Sequence, residues 1–350
     1  MKYKLSVIMC IYNPPEEYLK KAIKSVIEQT EPNIEIILVN DGSDENIVRI
    51  CQKYKEKDSR IKLINQENQG ESVARNVGIK NATTDYITFI DSDDYIEKDM
   101  CKQVIDYMEK IQYDFDTIIF NCFVHRDGKK IINKFYTKNG KLDKEDIREL
   151  QFQNIEKGIS KYYPPESNVS IACSKIYNKK FLIRNDISYI PNLIRATDAV
   201  FNMEVFEKAD KIYILDKCLY NYQKNDFSVC QRYSEDTEEY YEKFFDIVKD
   251  YISKYNKGNE FNDILNLKIV TCIDTYMRNY FFNKENLKKN KEIKEEFWNL
   301  LNKEIYILAI KNVKKQYLST YQKCVLFCAK HRLFYGLKFL NKFKNFIKSM

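Results

Sequence analysis

The chain has 350 residues, room for two domains or for one large α/β domain with an appendage, and its 44% hydrophobic and 14% aromatic content excludes wholesale disorder. Ten cysteines without a C-x-x-C pair, and only two histidines (His125 and His331), exclude zinc-finger spacing and leave almost nothing for His-based metal sites or Ser-His-Asp chemistry. The formal charge of +7 is unevenly placed: residues 305–350 hold ten Lys or Arg and no Asp or Glu, so the rest of the chain is slightly acidic.

The apolar run after Lys2 and Lys4 is short, ends at Asn13-Pro14 and precedes no small-residue cleavage site. A first strand over Leu5–Ile11 is expected there rather than a signal peptide. Nowhere do ~20 apolar residues run together, so no membrane-spanning helix is expected. Unpaired cysteines without a secretory signal point to a reducing, cytoplasmic setting.

Asn13 can cap a helix with Pro14 at its first position, and Leu19, Ala22, Ile23, Val26 and Ile27 recur with helical spacing behind it. Further strands are expected over residues 34–39, 61–64, 86–90 and 117–124, and helices over 47–54, 72–80 and 98–108. Strands separated by helical crossovers imply a Rossmann-like, mostly parallel sheet with helices on both faces. No G-x-G-x-x-G follows the first strand, which argues against a dinucleotide site of the usual kind. Residues 126–225 are less regular, and beyond Ser234 the pattern is helical and rich in Tyr, Phe and Lys. The expected organisation is a first α/β half (1–125), a second half (126–228) and a helical C-terminal region (229–350) with a basic tail from 311.

The strand ends carry the chemistry. Asp91-Ser92-Asp93-Asp94 follows the fourth strand, and in open α/β sheets ligands bind at the carboxyl ends of strands. Carboxylates this close resist joint ionisation unless a cation or strong donors sit among them, and Mg²⁺ or Mn²⁺ prefers carboxylate and phosphate oxygens. A plainer account is also open, because Asp94 with Glu97 three residues on fits a capping box. The other ends deliver Tyr12-Asn13, Asn40-Asp41-Gly42-Ser43, Asn68-Gln69-Gly70 and Arg75-Asn76. Singly each has a structural explanation as a turn, a cap or a solvated helix residue. Together they suit a nucleotide pocket.

Four segments bear a family resemblance: 7–13, 36–43, 68–76 and 89–94, in that order and spacing. The chain resembles a family 2 glycosyltransferase of the GT-A fold, with weaker likeness through 173–177, 198–201 and 219–222. By that resemblance Ile11, Tyr12, Asn13, Asp41, Gly70, Arg75, Asp91, Ser92 and Asp93 would bind the nucleotide sugar, with Asp91 toward the ribose. Asp93 would hold a divalent metal, Mn²⁺ or Mg²⁺, at the diphosphate. Asp198 would be the general base of an inverting transfer from a nucleotide sugar, expected to be a UDP-sugar, to a glycan or lipid-linked glycan of a bacterial surface polysaccharide. Thr197 stands where the family usually has an acidic residue, and Asp198 also suits the N-cap of a helix over 199–208. After the Leu219–Tyr222 segment the chain offers Gln223 and Lys224 in place of Arg.

Two rival classes stand beside this one. A nucleotidyltransferase needs a Gly-rich basic loop after the first strand, against which Tyr12-Asn13-Pro14-Pro15 argues. A non-catalytic nucleotide-sugar-binding relative, or a scaffold of an assembly complex, is left open by Thr197. In the tail, Leu333, Leu337, Leu340, Phe343 and Ile347 share a helical face opposite most of the lysines, which suits the anionic inner face of a cell membrane. No nucleic-acid partner is expected, since no recognised motif accompanies the basic stretch.

Overall fold

The computed structural model describes residues 3–126, 128–136, 138–159, 169–224 and 233–349, with backbone alone at 345–349. They form two compact units, residues 1–225 and 226–350.

The first unit is built on one ten-stranded sheet. Strands β1 (Leu5–Ile11), β2 (Ile34–Asp41), β3 (Ile61–Gln66) and β4 (Tyr86–Asp91) form its parallel part in the order β3-β2-β1-β4. All eight residues of β2 are buried, as expected of a parallel strand covered on both faces. The sheet continues through β9 (Lys175–Asn178), β6 (Thr117–Arg126) and β10 (Ile212–Gln223) to the short β5 (Tyr95–Ile96), while β7 (Lys129–Asn133) pairs with β6 and β8 (Gly140–Lys141) with β10. The long β6–β10 pair is parallel; β9, inserted between β4 and β6, is antiparallel to both. One sheet therefore runs through the two halves that the sequence organisation set apart.

Helices α1 (Glu16–Ile27), α2 (Glu45–Lys57) and α3 (Glu71–Asn81) cross between the first four strands, and α4 (Met100–Lys110) leads into β6. Helix α1 buries Leu19, Ala22, Ile23 and Val26, the stripe read from its spacing. Helices α5 (Lys144–Ile155), α6 (Lys179–Arg184) and α7 (Thr197–Lys208) complete the unit.

Three expected caps are corrected. Helix α1 begins at Glu16 behind Pro15 and has no side-chain cap. Asn13 lies in the left-handed region (φ 45°), out of the helical conformation that a following proline disfavours, and its Oδ1 accepts the Asp44 N–H at 2.8 Å. Helix α4 starts at Met100, beyond β5, so Asp94 caps nothing. Helix α7 starts at Thr197 after Ala196 (φ 59°), which places Asp198 inside the first turn rather than at the cap.

The second unit is helical: α8 (Thr237–Lys254), α9 (Asn259–Tyr276) with a π-helical turn at Met277–Phe281, α10 (Asn290–Leu301), α11 (Glu304–Asn312), α12 (Thr320–Lys330) and α13 (Phe334–Ser349). Phe245, Ile273, Phe297 and Tyr306 fill its core, and the hydroxyls of Tyr276 and Tyr306 hydrogen-bond at 2.8 Å. The basic tail belongs to this unit. Leu337, expected on a lipid-facing stripe, is fully buried, and Phe334 packs edge-on against Phe282. The exposed apolar residues of α13 are Tyr335, Phe339 and Phe343, at 70%, 67% and 50%; Phe343, like Leu333 just before the helix (45%), lies on the expected stripe. Ile347 lies among residues described by backbone alone.

Candidate active site

The first wall of the site is made by the ends of β1 and β2. Ile11 is fully buried, so only its backbone faces the rim, and its carbonyl accepts the Ser43 hydroxyl at 3.2 Å. Tyr12 is 59% exposed, a bare aromatic ring at a strand end. The Asn13 N–H donates to Ser43 Oγ at 3.2 Å, which ties the two loops together. Asp41 is buried and accepts three hydrogen bonds: Gln66 Nε2 at 2.7 Å and the N–H groups of Gln69 and Gly70 at 2.9 Å each. Gly70 needs its left-handed φ of 85°, and a Cβ on Gly42 would stand 2.6 Å from the Asn68 nitrogen. Asp41 thus fixes the 68–70 loop at the start of α3.

Arg75, one turn further along α3, is the hub. Its side chain is only 3% exposed, and its Nη2 meets Glu71 at 2.6 Å and Asp91 at 3.1 Å, while Nη1 pairs with Asp198. Phe89 and Tyr189 lie against the guanidinium at 5.6 and 5.2 Å. Burial opposes the charge, but Glu71, Tyr189 and Asp91 outweigh it and raise the Arg75 pKa further. Asp198 comes to this point from α7. Its Oδ1 takes Arg75 and the Tyr189 hydroxyl (3.3 Å), and its Oδ2 takes the Ala172 N–H at 2.9 Å. A carboxylate has about four lone-pair sites. Among the described residues three are engaged, and the one left over lies on Oδ2 of a side chain 21% exposed.

The acidic turn separates its carboxylates. Asp91 faces Arg75, its Oδ1 accepting from the guanidinium at 3.1 Å. Burial pushes its carboxyl up, Arg75 pulls it down, and Asp93 adds to the rise. Asp94 is completely buried: Oδ2 accepts the Tyr220 hydroxyl at 2.6 Å and Oδ1 the Gln223 N–H at 2.6 Å. Burial, reinforced by Asp93 and Asp91, drives its carboxyl well above the usual range. Asp93 and Ser92 sit half-buried at the rim, and the Asp93 carbonyl accepts Gln223 Nε2 at 2.6 Å.

Most of the site residues expected from sequence fall into two groups, with Tyr12, Ser92 and Asp93 at the rim beside them. Arg75, Asp91 and Asp198 meet directly, across 123 positions of sequence between the first and last. Ile11, Asn13, Asp41 and Gly70 shape loops at the ends of β1 and β2 and the start of α3. Among the described residues no three His, Cys, Asp or Glu side chains form a closed metal cage. Asp91 is committed to Arg75 and Asp94 to Tyr220 and Gln223, and Asp93, the third carboxylate of the turn, sits half-buried at the rim. That donor set fits Mg²⁺ or Mn²⁺, which are held by one or two carboxylates together with phosphate and water.

Glu71, Tyr189, Ala172, Cys173 and Tyr220 were given no role from sequence. The four-residue spacing of Glu71 and Arg75 is a signal for the first. Tyr189 and the Ala172 N–H reach the site through tertiary packing, with Tyr189 stacked on Phe201 at 4.2 Å, and no local pattern marks them.

An α/β sheet with an acidic rim and a helical extension is the architecture of a GT-A glycosyltransferase, and the comparisons agree. The glycosyl transferase family 2 model matches residues 6–183, about half the chain. The chain is 32% identical over 238 residues to glycosyltransferase GlyA of Streptococcus pneumoniae, covering 66% of this chain and 32% of that one. It is 29% identical over 269 residues to the uncharacterized glycosyltransferase EpsJ of Bacillus subtilis, covering 76% and 74%. Residues 1–349 of Staphylococcus aureus TarS, solved in complex with UDP-GlcNAc, share the fold with a TM-score of 0.64 at 22% identity, covering 97% of this chain and 90% of that one. The chain belongs to glycosyltransferase family 2. It spans about a third of the length of GlyA and about three quarters of EpsJ.

Proposed function

We propose that the protein transfers a sugar, with inversion, from a nucleotide sugar to a glycan or lipid-linked glycan acceptor in the synthesis of a bacterial surface polysaccharide. The observation that carries this reading is the junction of Asp91, Arg75 and Asp198, which sets a carboxylate with one unengaged lone pair beside the acidic end of β4. The donor is a nucleoside-diphosphate sugar, and UDP is the nucleotide favoured by the complex of the TarS neighbour with UDP-GlcNAc.

Tyr12 offers its exposed ring to the base, while the loops fixed by Asp41 and Ser43 present Asn13 and Gly70 to the nucleoside. Asp91 turns toward the ribose. Asp93 would hold a divalent ion at the diphosphate, which when bound supplies charge neutralisation to the leaving group. Arg75 pairs with Asp198 and fixes its orientation. Oδ2 of Asp198 accepts the proton of the acceptor hydroxyl as that oxygen attacks the anomeric carbon from the face opposite the nucleotide. One in-line displacement inverts the configuration.

The acceptor side is read from the second unit. Exposed Tyr335, Phe339 and Phe343 are accompanied by Lys342 and by the wholly basic sequence after Glu304, which suits the anionic inner leaflet of a cell membrane. Among the described residues no helix is long and apolar enough to cross a membrane.

A thermal-shift titration with UDP, with and without Mn²⁺, tests the donor and metal assignment. The wild type is expected to show a metal-dependent increment that Asp93→Ala abolishes. An unchanged increment in the variant removes Asp93 from the metal site.

A further inference from the structure

Lys175, the first residue of β9, is completely buried, and no carboxylate pairs with it among the described residues. Its ammonium donates instead to the backbone carbonyls of Val169, at 2.6 Å, and Ile171. The rings of Phe135 and Phe206 stand 5.9 and 6.0 Å away, and the charged or titratable neighbours acting on it are the thiols of Cys173 and of Cys122 on β6. Burial lowers its pKa to about 7. An unpaired buried ammonium is costly, so its retention calls for a use.

The segment it ties down is tied elsewhere too. Asn202 of α7 donates to the Ser170 carbonyl at 2.6 Å and accepts the Tyr177 hydroxyl at 2.9 Å. Consecutive carbonyls at 169, 170 and 171 are thus each held by a buried side chain. The next residue, Ala172, donates its N–H to Asp198 Oδ2 at 2.9 Å. That oxygen is the one with a lone pair for the acceptor.

We infer that Lys175 is a positioning residue for Asp198: its ammonium straps the 169–171 carbonyls so that the Ala172 N–H aims the carboxylate at the acceptor hydroxyl. This inference rests on Asp198 being the base. Lys175 touches no substrate, and its whole effect passes through the strap. Misplacing a reacting group by ~1 Å costs on the order of a hundredfold in rate.

Lys175→Met keeps the length of the side chain and removes the donors. With saturating donor, kcat is expected to fall about 10- to 100-fold while the donor KM stays within about twofold. A folded Lys175→Met with kcat within about twofold of wild type overturns the inference. Should that variant not fold, Lys175→Arg replaces it: with donors kept for both carbonyls, kcat is expected to stay within about threefold of wild type at an unchanged donor KM. A folded Lys175→Arg whose kcat falls about tenfold or more overturns the strap. Wild-type protein that releases nucleotide from no nucleotide sugar overturns the transferase reading, and this inference with it; an active wild type beside an equally active Lys175→Met overturns the strap alone.

Discussion

A guanidinium that serves three carboxylates cannot be exchanged without leaving them to repel one another. Arg75 meets Glu71, Asp91 and Asp198 with almost no access to water, so its removal would mix loss of fold with loss of chemistry. Asp94 gives a cleaner reading of the acidic turn. Its carboxyl is raised by burial and by Asp93 and Asp91, so the folded state holds a proton that the unfolded chain releases near the ordinary value of 3.8. A raised folded pKa means that Asp94's contribution is fully present below the unfolded value and is lost as pH rises toward the folded one. Wild-type stability should therefore carry a component that declines with rising pH above about 4. Asp94→Asn, which keeps an acceptor for the Gln223 N–H, should flatten that decline. Melting temperatures across pH 4–8 check it: parallel profiles for the two proteins contradict the assignment.

At the scale of elements, helical periodicity located α1 and α13 but gave only half of what matters about α13. The residues were right as a helix and partly wrong as a surface. Leu337 points into the helical unit, and the exposed stripe is Tyr335, Phe339 and Phe343 at i, i+4, i+8. A single apolar residue on a helix does not declare which neighbour will cover it, because α12 and the π-helical turn are placed by tertiary packing. Removing the tail would strip Phe334 and Leu337 from the core, so the membrane reading is better tested by point changes. Phe339→Ser with Phe343→Ser should weaken co-sedimentation with phosphatidylserine vesicles at least about tenfold, the equivalent of ~1.4 kcal/mol, and leave the melting temperature unchanged. Undiminished co-sedimentation removes this face from any membrane contact. The caps failed for a related reason. Asn13, Asp94 and Asp198 are residue types that cap helices, and each was drawn to a longer-range partner instead: the Asp44 N–H, Tyr220 with Gln223, and Arg75 with Ala172.

For the molecule as a whole, the parallel part of the sheet was legible because β1, β2 and β4 are short apolar runs ending in polar turns, separated by amphipathic helices. The antiparallel insertion of β9 was not, because a four-residue strand between irregular segments carries no period of its own. The same division holds at the site. Asp91, Asp93 and Arg75 stand in dense local motifs, whereas Tyr189, Ala172 and Lys175 act through contacts that only the folded sheet creates. These parts meet at Asp198, which in the proposed reaction activates the acceptor oxygen beside a bound nucleotide sugar. The most direct test is nucleotide release from a panel of nucleotide sugars with Mn²⁺, with water as the fallback acceptor, measured beside donor affinity for wild type and Asp198→Asn. The account predicts that wild type turns over at least one donor, and that Asp198→Asn binds it within about threefold of wild type while releasing nucleotide ~10²–10⁴-fold more slowly. Wild-type turnover in the variant, or no turnover of any donor by the wild type, would contradict it.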